Sequence, residues 1–172
     1  MEKSPHAGVT LVDPANPPSR KAPLVWAISA GIPFLMFIPA QMVWIAVDGR
    51  VVWLHAAVAA LTVLGIVAFV VVAPLWRYRV HRWEISPESG PPAVYTRTGW
   101  ITQERRIVPI SRVQTVDTYR GPLDRLFGLA NVTVTTASSA GAVRIVALDS
   151  EVADQVVAQL TDIAAIGAQD AT

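Results

Sequence analysis

The sequence predicts a membrane-embedded protein in two parts: an antiparallel hairpin of spanning α-helices, then a mainly-β barrel or sandwich closed by a C-terminal α-helix. Two uncharged runs carry the first part. Ala22 to Val47 and Val51 to Trp76 are 26 residues each, with only Asp48, Gly49 and Arg50 between them. At about 1.5 Å rise per residue, each exceeds the roughly 20 residues a helix needs to cross a ~30 Å hydrocarbon core. In lipid the backbone must satisfy its own hydrogen bonds, so such runs cross as helices, here over 24–47 and 51–76 of a hairpin occupying 22–76. The second part rests on a change of pattern after Trp76. Short runs rich in aromatic and β-branched residues alternate with proline and glycine turns, and one amphipathic stretch ends the chain.

Residues 1–21 are polar, contain Pro5, Pro14, Pro17 and Pro18 and lack apolar periodicity, which predicts a disordered tail. Arg20 and Lys21 precede the first run, and Arg77, Arg79 and Arg82 follow the second. Positive flanks are retained in the cytoplasm, so both termini are expected inside. Trp26 and Trp76, with Arg77 and Arg79, then fall at the inner interface, and Trp44 and Trp53 at the outer one. That distribution is the belt expected of amphipathic rings at headgroup level. A long leader and the lack of a small-x-small cleavage site argue against a signal peptide. Gly31, Pro33, Pro39, Gly65 and Pro74 are explained by the ordinary composition of membrane helices, or by bends and close helix contacts. His55 is the only ionisable side chain inside either run. It lies about one turn from the outer end, where a neutral imidazole reaches interfacial water, and no carboxylate in either run completes a proton relay.

The 172 residues leave room for one ordinary domain after the hairpin. The chain has no cysteine, which excludes disulfides, thiolate metal sites and a cysteine nucleophile. The net charge of +1 conceals an asymmetry: Arg77 to Ala147 carries ten arginines against five acids, whereas Leu148 to the end carries five acids and no base. A basic body suits an anionic leaflet within a Debye length.

Within that domain, expected over residues 77–166, Tyr78 to Ile85 reads as a strand ended by Ser86-Pro87 and Gly90-Pro91-Pro92. Ala93 to Thr98 and Ile101 to Ile110 flank Gly99, a turn or bulge. Val113 to Tyr119 follows a corner at Pro109 to Arg112. Gly121 to Gly128 reads as a short helical turn, with proline at its first position, Leu123, Leu126 and Phe127 at helical spacing, and a closing glycine. Asn131 to Ala137 and Ala142 to Leu148 form a hairpin about Ser-Ser-Ala-Gly, with Val132, Val134 and Thr136 alternating against Asn131, Thr133 and Thr135. The last element spans Glu151 to about Ile166, capped by Asp149 or Ser150. Its apolar stripe is Val152, Val156, Leu160 and Ile163, and Gly167 is its expected stop before a tail over 167–172.

The stretch Arg106-Ile107-Val108-Pro109-Ile110-Ser111-Arg112-Val113-Gln114-Thr115-Val116, followed by Gly121-Pro122-Leu123 and Arg125-Leu126-Phe127-Gly128-Leu129, resembles the bacterial pleckstrin-homology (PH) domain. Trp83 and Gly99 fall where that family places a Trp and a Gly. The resemblance covers roughly Arg77 to Leu160, and the preceding hairpin is similar to the family's small membrane proteins. It implies a PH-like barrel capped by a helix, in a bacterial cell membrane. It also implies no catalysis and, as partner, a larger membrane protein with several PH domains.

A PH fold supports many functions, so the residues must carry the rest. Inositol-phosphate-binding PH domains use a basic first loop; here Ser86 to Pro92 is acidic and proline-rich. Arg105, Arg106, Arg112, Arg120 and Arg125 are the candidate surface for an anion or a partner protein, unless they are solvated faces paired with Glu104, Asp117 and Asp124. His6, His55 and His81 share no ligand spacing, no glycine-rich phosphate loop occurs, and helix capping accounts for the Asp149-Ser150 pair. No enzyme, metal or cofactor is therefore expected. Nucleic acid is a poor partner, because the basic residues lack interleaved aromatics. Two readings follow: a membrane-tethered interaction or scaffold module within a larger complex, and a module recognising anionic membrane lipids.

Overall fold

A computed structural model describes residues 13–85, 92–99, 102–136 and 141–169. The first span consists of α1 (Ala22–Gly31) and α2 (Phe34–Val47), joined through Ile32 and Pro33. The second consists of α3 (Val52–Ile66), a π-helical stretch (Val67–Val72) and α4 (Ala73–Val80). No residue of α2 is buried, and large apolar side chains point outward on both spans, as lipid requires and a soluble core helix forbids. Within the hairpin the Thr62 hydroxyl reaches Gln41 Oε1 at 3.1 Å, and a Cβ added at Gly65 would meet the Phe34 ring at 3.6 Å. Pro74 explains the π stretch. Without an N–H, and with its ring against the carbonyl four residues back, it loosens the ladder just upstream.

The second span is longer at its C-terminal end than expected. It runs through Arg77 and Arg79 to Val80, where cations favour the negative end of the helix dipole. The strand expected from Tyr78 therefore begins only at Arg82, and His81 caps a helix rather than lying in a strand.

Six strands follow: β1 (Arg82–Ile85), β2 (Ala93–Thr98), β3 (Glu104–Pro109), β4 (Val113–Tyr119), β5 (Leu129–Thr136) and β6 (Val143–Asp149). All pairings are antiparallel, but they form two three-stranded sheets, β1-β2-β3 and β4-β5-β6, not one closed barrel. The ladder stops at Pro109, which has no N–H to donate, and a 3₁₀ turn (Ile110–Arg112) carries the chain into β4. Ile85, Val94 and Val108 from the first sheet and Val132, Val134 and Ile145 from the second share one core. Between β4 and β5 lies α5 (Pro122–Phe127).

The closing helix, α6 (Ser150–Gln169), seats Ala153, Val156 and Leu160 in that core. It passes Gly167, because a lone helical glycine costs only about 1 kcal/mol. The side chains expected to cap it have other partners: Asp149 accepts from Ser19 Oγ at 2.8 Å, and Ser150 Oγ donates to the Gly128 carbonyl at 2.8 Å. At Gly99 the backbone is left-handed (φ +118°), and a Cβ would stand 1.9 Å from the Thr102 carbonyl oxygen, so only glycine fits.

The expected disordered tail is corrected over residues 13–21. Asn16 exchanges backbone hydrogen bonds of 3.0 and 2.9 Å with Trp83 on the open edge of β1. Ser19 donates from its backbone to the Ala147 carbonyl at 2.8 Å. The rest of that tail, most of the first loop and Ser138 to Ala140 lie outside the described residues.

Candidate functional site

Two regions bring together the side chains that the sequence singles out. The first is the junction between hairpin and domain. Ala22 and Val25 of α1 are buried against Leu129 and Ala147, with Trp26, Tyr78, Leu123 and Phe127 packed around them. Thus the Gly-Pro-Leu and Leu-Phe-Gly-Leu segments of the PH-like motif are where the domain meets the membrane helices. The Asp124 carboxylate accepts from Gly121 N at 3.0 Å and from Asn131 Nδ2 at 2.8 Å, starting α5 squarely. Gly128 ends it in the left-handed region (φ 69°), and Lys21 Nζ reaches the Phe127 carbonyl at 3.1 Å. Leu126, expected on the same stripe as Leu123 and Phe127, instead points away and is exposed.

Asn131 falls on the polar side of the alternation in β5, yet it is a node. Its Oδ1 accepts from the buried Ala147 N–H at 2.8 Å while its amide holds Asp124. Ala147 itself has φ +55°, an unusual angle for a residue with a Cβ. Bonds from Asn131 and Ser19 hold it there at a shift in the β5–β6 register.

On the other side of α1, the Arg77 guanidinium carbon lies 4.2 Å from the Trp26 ring centroid, and the Trp26 and His81 rings are 5.6 Å apart. A cleft of about 400 Å³ adjoins them, lined by Ala30, Phe69, Pro74 and Gly99 among others. His81 Nδ1 is 2.9 Å from the Arg77 carbonyl, and its Nε2 is 3.5 Å from Arg77 Nε. A carbonyl only accepts and a guanidinium only donates, so the ring is the neutral Nδ1–H tautomer. Burial first, and then the Arg77 charge, push its pKa down to about 4, against the opposing effect of the carbonyl bond. At the far end of the hairpin, His55 Nε2 bonds the Asp48 carbonyl and its ring meets Trp44 edge-on at 4.3 Å. Trp53 is exposed there, and Trp76 is exposed at the opposite end, next to the domain. His55 and His81 therefore lie at opposite ends of the hairpin.

The second region is a groove of about 360 Å³ beside the outer edge of β3. Arg105, Arg106 and Arg112 line it with Ile107, Thr136 and Val143. Arg106 bonds Glu104 at 2.6 Å and the Ala142 carbonyl at 3.2 Å, bridging the two sheets. Arg105 pairs with Asp13 at 2.9 Å, as does Arg97 at 2.7 Å, and Arg112 is exposed. The other two candidates lie elsewhere. Arg120 pairs with Asp154 at 3.1 Å, and Arg125 projects from α5. Of the carboxylates expected as partners, Glu104 serves and Asp124 is occupied by α5 itself. Asp154 falls on the polar face expected of the last helix, but no local pattern marks it, Asp13 or Gln41 as a partner, because the groups they bind lie far along the chain.

The comparisons agree with this architecture. The sequence model of the family described as Bacterial PH domain matches residues 22–164, so the match takes in the hairpin as well as the β-domain. The chain is 34% identical over 123 residues to UPF0699 transmembrane protein YdbS of Bacillus subtilis (strain 168), covering 69% of this chain and 70% of that one. No solved structure gives a significant match. A two-helix membrane hairpin carrying two packed antiparallel sheets and a closing helix, the chain belongs to the bacterial PH domain family.

Proposed function

We infer that this is a non-enzymatic membrane-anchored PH-domain protein that acts as an interaction or scaffold subunit at the cytoplasmic face of the bacterial inner membrane, within a larger membrane assembly. The observation that carries the reading is the groove beside β3. It combines an edge strand, an exposed Ile107 and three arginines, a combination that suits an extended partner segment bearing acidic side chains. Thr136 lines the groove, whereas Leu129 at the other end of β5 lies in the hairpin junction. Seven residues at ~3.3 Å each put about 23 Å between them, so the groove opens well clear of the junction. A larger protein with several PH domains is the partner class that the family resemblance suggests.

Co-purification from mild detergent tests this. Ile107→Asp combined with Arg112→Glu should abolish recovery of partners that the unaltered chain retains. Undiminished recovery of the same partners would remove the groove from the reading. A second reading, recognition of anionic lipid by the inner leaflet, is favoured by exposed Arg20 and Arg79 at the inner helix ends. Vesicles with and without phosphatidylglycerol separate the two: only lipid recognition makes partner-free behaviour depend on that lipid.

A further inference from the structure

Outside the hairpin, the described residues include three exposed large apolar side chains: Ile107 at 43%, Tyr119 at 66% and Leu126 at 76%. Two of the three lie on or beside α5. Leu126 projects from α5, and the Tyr119 ring lies beside Gly121 at its start, where an added Cβ would come within 3.7 Å of the ring.

The neighbours of α5 identify what faces that pair. Leu123 and Phe127 dock on Ala22, Val25 and Trp26, the first turns of the membrane span. A cavity of about 570 Å³ continues along the same helix, between Ser29 and Ile32 on one side and Gly121 to Asp124 on the other. Ile32 is ten residues past Ala22, roughly 15 Å further along the helix axis. So α5 lies alongside the start of the span rather than beyond its end. Trp26, at that level, is the kind of ring that marks the headgroup region. The basic groups around α5 have the matching sign. Arg125 is exposed on it, Lys21 is tied to its C-terminus, and Arg20 is exposed next to Lys21.

We propose that α5 is seated in the headgroup region of the bilayer, with Leu126 and Tyr119 inserted toward the acyl chains and Arg125 at phosphate level. The domain then has a direct attachment to the leaflet besides its packed junction with the hairpin. That attachment reinforces the tilt that the packed junction sets, and with it the direction in which the β3 groove faces. The inference stands whether or not the groove binds a partner.

The chain lacks cysteine, so single cysteines can be introduced and labelled without background. Leu126→Cys and Tyr119→Cys remove exposed side chains outside the core and should fold. Each, and Thr161→Cys on the exposed side of α6 as control, is labelled with a polarity-sensitive fluorophore. The full chain is then reconstituted in phosphatidylglycerol–phosphatidylethanolamine vesicles. Labels at 126 and 119 should be blue-shifted. They should also be quenched several-fold more strongly than the label at 161 by lipid carrying a nitroxide high on its acyl chain. A label at 126 that instead matches 161, quenched by aqueous iodide and not by the lipid nitroxide, overturns the proposal. So does a label at 126 shielded from both quenchers, because α5 would then be covered by protein, such as a second copy of this chain.

Discussion

Asn131 joins three elements through one amide: it holds Asp124 at the start of α5, reaches the Tyr119 carbonyl at the end of β4 and accepts from Ala147 in β6. Asn131→Ala leaves the buried Ala147 N–H without its acceptor, and such a loss costs about 1–3 kcal/mol. The thermal midpoint of the full chain in detergent should fall accordingly. His81 makes a prediction of opposite kind, in pH. Its folded pKa of about 4 lies below the ordinary 6.5, so the unfolded chain takes up the proton first. Stability should be complete above about 6.5 and decline as pH falls toward 4, where the folded ring is finally protonated. His81→Phe should flatten that part of the curve. An unchanged slope in the variant would show that the imidazole is already charged or solvated in the fold.

At the scale of elements, the strands and α6 were legible because alternation and helical spacing are local. β2 and β4 coincide with their expected ranges, and Val156 and Leu160 are buried as their stripe requires. Leu160→Ala should cost about 2–5 kcal/mol, and Leu160→Asp more, since it buries an unpaired charge. Both are read as midpoint shifts of the full chain. Gly128→Ala should cost about 1–2 kcal/mol through its left-handed cap, and so loosen α5 from the hairpin. What the sequence concealed was long-range. The tail at 13–21 has no periodicity, and its order comes from a strand edge at Trp83 and from arginines on β2 and β3 of the same sheet. The helix boundary at Val80 was missed because aromatic and branched residues suit a strand as well as the end of a span. The groove was half legible: five arginines were named, but only pairing between strands and sheets could sort three into one place and two into others.

For the whole molecule, the hairpin and the domain are packed as one piece. The apparent break at Arg77, where hydropathy changes, cuts through the junction. A domain cut there loses Ala22, Val25 and Trp26 from the cluster around Leu129, and Asn16 from the β1 edge. It also loses Asp13, the shared counter-ion of Arg97 and Arg105. Re-exposing a leucine such as Leu129 costs about 1.5–3 kcal/mol by itself, a large share of the 5–15 kcal/mol that holds an ordinary domain. Residues 77–172 alone should therefore melt well below the full chain in the same detergent, or fail to remain soluble. Linking residues 13–21 back to that fragment should restore only the part due to the β1 edge, Ser19 and Asp13, since the α1 contacts stay absent. Equal midpoints for the fragment and the full chain would mean that the junction contributes nothing to stability. In that case the Gly-Pro-Leu and Leu-Phe-Gly segments would need a reason other than holding the domain to its hairpin.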